Sequence, residues 1–163
     1  MKKQFTDEDA AALVDCAAKL AKTTATDEKG PGSPVAICCM VAQPDVMAVP
    51  TASRRMDRAK AISVVTALHK AFTVLAYGAD TIKHANRIKN KEWSEADMLM
   101  RQNTAPMFCP WDGGIVVMDK DGGLLCALAA AGRTSEGDRR LMVLAAHKMG
   151  YRTNFDATGE PLQ

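Results

Sequence analysis

Lys70 and His69 are the side chains of this 163-residue chain best suited to hold an anion or move a proton. They stand in residues 59–77, the longest uninterrupted helical pattern, with Gly78 as its stop. Val64, Leu68, Ala71 and Leu75 recur there by steps of four, three and four, which predicts them as the packed face. Ser63, Thr66, Lys70, Thr73 and Tyr77 keep the same rhythm on nearly the opposite face. No carboxylate occurs from Ile62 to Gly78, whereas an ordinary solvated face mixes acids with bases. Small hydroxyls around one lysine suit a pocket wall or a subunit contact, and a plain polar outer face is the third reading. Lys70 is a candidate clamp for a ligand carboxylate or a candidate base. His69 is a candidate for proton transfer or for axial ligation of a cofactor.

A second candidate segment is Gly132-Arg133-Thr134-Ser135-Glu136-Gly137-Asp138. Thr134 or Ser135 can cap the helix that follows, whose free N–H groups could hold an anion alongside Arg133. An ordinary cap with a solvent-facing arginine is the other reading. Other motifs are missing. The histidines (His69, His84, His147) have no metal-binding spacing, and no GxSxG nucleophile elbow occurs. Gly113-Gly114 and Gly122-Gly123 do not make a dinucleotide fingerprint. The five cysteines lack a CxxC pair, which points to buried free thiols in a reducing compartment. Cys38 and Cys39 are expected on opposite faces of one strand.

These residues need positioning elements. Thr6 followed by acidic residues opens an amphipathic helix over 7–24, and TDEKGPGSP stops it. VAICCMV (35–41) reads as a strand covered on both faces, and VMAV (46–49) as a returning strand that Pro50 ends or puts at an edge. Further helices are expected over 80–90 and from Ser94. IVVMDKDGGLLCALAAA reads as a β-hairpin, a closing helix runs from Ser135 to about Gly150, and the polar tail 151–163 is expected to fray. With no repeat and no long linker, this is one α+β domain with a core of about 7–150 and an antiparallel sheet of four to five strands flanked by helices.

Composition narrows the function classes. The chain is 47% apolar and 25% charged with a net charge of +2, which suits a globular domain and is no footprint for nucleic acid or acidic membranes. No apolar run approaches a membrane span, and acidic residues stand where a signal peptide would be apolar, so a cytoplasmic location is expected.

Met56-Asp57, Ser63, Ala67, Lys70-Ala71 and Thr73, then Gly113-Gly114-Ile115, Asp121-Gly122 and Gly132 through Asp138, resemble the motifs of the GlcG/HbpS-like (DUF336) family. The resemblance spans roughly residues 7–150. It implies a profilin-like fold, homo-oligomers, and a haem-binding or haem-degrading protein, although other relatives belong to glycolate-utilisation operons. It also carries Lys70, Thr73 and the turn Gly132–Asp138 onto a shared pocket. With the hydroxyl stripe and the paired glycines, the expected ligand-binding set is Ser63, Thr66, Lys70, Thr73, Gly113, Gly114, Gly132, Arg133, Thr134, Ser135 and Asp138. Departures from the family pattern are Gln43-Pro44-Asp45 in the first strand connection, Cys126 and Ala129 in place of glycines, and Ala131 in place of serine. Three readings follow: a small-molecule-binding protein whose Lys70 and Arg133 clamp the propionates of haem or another anionic tetrapyrrole; an enzyme on a small carboxylate or hydroxy acid with Lys70 or His69 as acid/base; and an oligomeric structural protein without a ligand site.

Overall fold

The computed structural model describes residues 5–42 and 50–162. Helix α1 (Asp7–Thr23) opens on a capping box in which Thr6 and Asp9 satisfy each other's backbone N–H, as its sequence requires. Strands β1 (Ala36–Val41) and β2 (Pro50–Arg55) follow, then α2 (Ala61–Tyr77), α3 (Thr81–Lys89), α4 (Glu95–Thr104), β3 (Gly114–Met118), β4 (Leu124–Ala131) and α5 (Ser135–Lys148). Gly78 ends α2 in the left-handed conformation, and Ser94 caps α4 with Asp97.

The four strands form one antiparallel sheet in the order β2-β1-β4-β3. Period-two alternation sorts their side chains onto two faces. Ile37, Cys39 and Val41 with Ile115, Val117, Cys126, Leu128 and Ala130 meet α1 and α5. Ala36, Cys38 and Met40 with Val116, Ala127, Ala129 and Ala131 meet α2. Cys38 and Cys39 therefore do part to opposite faces, and burial pushes the Cys38 thiol up to about 12. The α2 side of the sheet is paved with alanine, and α2 answers with Ala67 and Ala71, so helix and sheet lie close.

The structure corrects three expectations. The buried residues of α2 are Ser63, Ala67, Lys70, Ala71, Thr73 and Val74: of the expected packed face Leu68, Ala71 and Leu75 do pack on the sheet but Val64 is exposed, and Ser63, Lys70 and Thr73 of the polar stripe turn inward while Tyr77 stays exposed. Pro50 begins β2 where a strand end was one expectation; the other, an edge position, holds, and there its missing N–H costs no ladder bond. The expected strand 46–49 and the departure at Gln43-Pro44-Asp45 lie outside the described residues. The tail does not fray: Arg152 pairs with Met118, and Thr153, Phe155 and Gly159 are buried.

Candidate functional site

Lys70 is only 3% exposed, and an ammonium in such a place needs partners. Its Nζ donates to the Ala130 carbonyl at 2.9 Å and to Asp138 Oδ2 at 3.2 Å. The other Asp138 oxygen accepts the Arg133 backbone N–H at 3.1 Å, so the carboxylate joins α2, the end of β4 and α5. Burial raises the Asp138 pKa against the opposing pull of Lys70. A Cβ on Gly113 would stand 2.6 Å from Lys70 Nζ and 2.9 Å from Asp138 Cβ; with φ at 122°, the position requires glycine. Beside it, Asp112 is ion-paired to Arg139, and burial still pushes its carboxyl up to about 6. Thr73 donates to the His69 carbonyl and accepts the Cys109 N–H at 2.8 Å, which ties the chain before β3 to α2.

Arg133 is buried too, but its guanidinium turns to the end of α1. It donates to the carbonyls of Ala21 at 2.6 Å and Thr24 at 3.2 Å, and to Thr26 Oγ1 at 2.6 Å. An arginine thereby satisfies carbonyls that the last helical turn leaves open, where the helix dipole is negative. Its Nε has no partner among the described residues. Lys70 and Arg133 therefore do not converge as one carboxylate clamp; each cation is spent on a different part of the fold.

Arg133 does line a cleft of about 360 Å³. Lys29, Ser33 and Pro34 from the α1–β1 loop form one wall. Arg58, Ala59 and Lys60 before α2, with Ser63 in its first turn, form another, and Gly132 and Arg133 close the third. Among the described residues, four cations and no carboxylate line it. A Cβ on Gly132 (φ 139°) would lie 2.5 Å from the Pro34 carbonyl, so glycine lets these two walls meet. Arg58 is held at a φ of 67°, a left-handed conformation that costs a non-glycine residue about 1–2 kcal/mol. Helix α2 starts at this cleft without a capping side chain at Lys60 and without an acid in its first turn. Its N–H groups add positive potential there. Ser63 is 8% exposed, and no side-chain hydrogen bond is described for it.

Comparison with known proteins decides the family: residues 5–147 match the family described as haem degrading protein HbpS-like. The chain belongs to the HbpS-like family. A crystal structure of an HbpS double mutant from Streptomyces reticuli superposes with a TM-score of 0.69 at 20% identity, covering 92% of this HbpS-like chain and 90% of the other. A PduOC–haem complex matches with 0.67 at 21% identity over 94% and 99% of the two chains. The Klebsiella pneumoniae protein ORFY, of the DUF336 family, matches with 0.67 at 18% identity over 92% and 94%. These identities establish a shared fold. A search of curated protein sequences returns no significant match.

In this HbpS-like chain the residues singled out in the sequence fall into two groups. Lys70, Thr73, Gly113, Gly114 and Asp138 meet where α2 crosses β3 and β4; the Gly114 N–H donates to Thr81 Oγ1, which in turn donates to the Gly114 carbonyl. Ser63, Gly132 and Arg133 meet at the cleft. Thr134 caps α5, as anticipated, by accepting the Gly137 N–H, and Ser135 is exposed in the first turn of α5. Thr66 donates to the Ile62 carbonyl of its own helix, and His69 is half-buried on α2. Sequence reasoning missed Lys29, Arg58 and Lys60. For Arg58 and Lys60 the signal was the density of cations in Arg54-Arg55-Met56-Asp57-Arg58-Ala59-Lys60; Lys29, alone in the turn-rich break after the first helix, gave none.

Proposed function

We propose that this protein binds a small anionic molecule in the cleft between the α1–β1 loop and the start of α2, and that a carboxylate-bearing tetrapyrrole of the haem type is the ligand to test first. One observation carries the reading: among the described residues Lys29, Arg58 and Lys60 line a single cleft without a carboxylate, and Arg133, though its guanidinium is bonded to the end of α1, adds its charge to the same wall. Charge-assisted bonds from such groups are the stronger class of hydrogen bond. The family description and the haem bound by the PduOC relative favour a tetrapyrrole.

The iron of haem is a separate matter. His, Cys, Tyr and Met are its usual axial ligands, and none of the described cleft residues is one of these. The cleft fits the acidic edge of the molecule and not its metal. Haemin and metal-free protoporphyrin IX are therefore expected to bind saturably with similar affinity, followed by Soret absorbance and tryptophan quenching. Arg58→Ala combined with Lys60→Ala should weaken both about tenfold. Failure of both ligands to saturate, or indifference of both to the double substitution, would overturn the reading.

A second reading, assembly of copies through the outer face of α2, is favoured by Ile62 at 63% and Val65 at 43% exposure beside exposed Val64. Apolar side chains left exposed on one helix, such as Ile62 and Val65, are a feature of contact surfaces. Sedimentation of Ile62→Glu against the parent tests it, and a monomeric parent at all concentrations removes it.

A further inference from the structure

The basic cleft has a neighbour. A second cavity of about 350 Å³ is lined by Lys22 at the end of α1, by Gly32 and Pro34, and by the run from Arg54 to Arg58. It shares Pro34 and Arg58 with the first cavity, so a molecule seated in one lies against the other. Arg54 is already ion-paired to Asp15. Lys22, Arg55 and Arg58 have no carboxylate partner among the described residues. Among the described residues, seven basic side chains line the two cavities against one acid, Asp57. The whole chain is almost balanced, so this is a local concentration of positive charge.

We infer that the second cavity is an additional acid-binding subsite, and that the preferred ligand carries carboxylates on more than one edge. This rests on the binding reading above. Arg58 stands on the shared wall, at a left-handed backbone position. Arg55 and Lys22 then take the further acidic group, and Pro34 with the half-buried Met56 offers apolar surface between them. A molecule with its acids on a single edge uses only the first cleft. A macrocycle with acids around its rim uses both. At exposed cations such as these, each added charge pair is worth up to about 1 kcal/mol, or several-fold in affinity at low ionic strength, so two added acids together reach about tenfold.

The test compares two metal-free porphyrins that differ in carboxylate number: protoporphyrin IX with two and coproporphyrin III with four. Dissociation constants are measured by tryptophan quenching at low ionic strength. Coproporphyrin is expected to bind the parent protein about tenfold more tightly or better. Arg55→Ala and Lys22→Ala, which sit on different elements and are checked by thermal unfolding, should each erase that advantage while leaving protoporphyrin binding unchanged. Equal affinity of the two porphyrins, an advantage that survives both substitutions, or an equal loss for both ligands overturns the subsite and leaves the first cleft standing. Absence of binding by either porphyrin overturns the subsite together with the reading on which it rests.

Discussion

At the scale of single residues, the ion pair of Lys70 and Asp138 is the most exacting arrangement in the protein. Both side chains are 3% exposed, so each is tolerable only while the other is charged and in place. Lys70→Met leaves a buried carboxylate facing an apolar group. Asp138→Asn keeps an oxygen for the Arg133 N–H but leaves the ammonium without its counter-charge. Each single change is expected to cost about 3–5 kcal/mol, the usual penalty for stranding one partner of a buried pair. The double variant should lose markedly less than the sum, because no unpaired charge then remains. Urea midpoints of the parent, both single variants and the double variant give the coupling directly. Strict additivity would mean that the two charges do not support each other. The same pair explains why a lysine on the expected polar face of α2 could look like a ligand clamp: its true partner is 68 residues away in sequence, and local periodicity carries no trace of it.

At the scale of elements, α3 and α4 hang on an aromatic cluster. His84 of α3 stacks on Trp93 and meets Tyr77 and Phe108 edge-on, while Arg87 and Arg101 lie over the Trp93 ring. Neither ring nitrogen of the buried His84 has a hydrogen-bond partner among the described residues. Burial, with Arg87, Arg101 and Lys83 nearby, lowers its pKa from 6.5 to about 4. A depressed histidine contributes stability that is complete above its unfolded pKa and is lost as pH falls through the folded one. Here that window runs from about 6.5 to 4, with roughly 2–3 kcal/mol at stake. Asp112, raised from 3.8 to about 6, works in the opposite sense: its share is complete below 3.8 and lost as pH rises through 6. The parent should therefore show a shallow pH dependence. His84→Phe should gain stability relative to the parent as pH drops from 7 to 4 in urea unfolding, and a constant difference would refute the assignment. Elements of this kind were legible where the signal is local: the caps at Thr6, Ser94 and Thr134, the stop at Gly78, and the Asp119–Gly123 hairpin turn all follow from neighbouring residues. The orientation of α2 was not. Its inward Ser63, Lys70 and Thr73 are accommodated by partners such as Asp138 and the Cys109 N–H, which only the tertiary fold supplies. The cleft was legible only in part, because its cations come from three connections that sequence distance separates.

At the scale of the whole molecule, order is unevenly distributed, and the cleft draws its walls from the better-tied part. Arg133 fastens the end of α1 and the loop after it to the β4–α5 connection through four hydrogen bonds, and Thr134 and Asp27 add another between that loop and the same connection. β1 and β4 lie at the centre of the sheet, wholly buried apart from the first two residues of β4. By contrast, α4 buries none of its ten residues and is held by its capping box and by Arg101 over Trp93. Segments with few buried contacts open locally at far lower cost than the global unfolding free energy. Amide hydrogen exchange should therefore be at least about 100-fold faster in α4 than in β1 and β4. If the cleft is the binding site, a saturating porphyrin should raise protection in the segments 29–34, 58–63 and 132–134 and leave α4 unchanged. Protection gained chiefly in α3 and α4 would move the ligand to the aromatic cluster around His84, where, among the described residues, buried polar atoms stand without partners beside rings able to stack on a macrocycle.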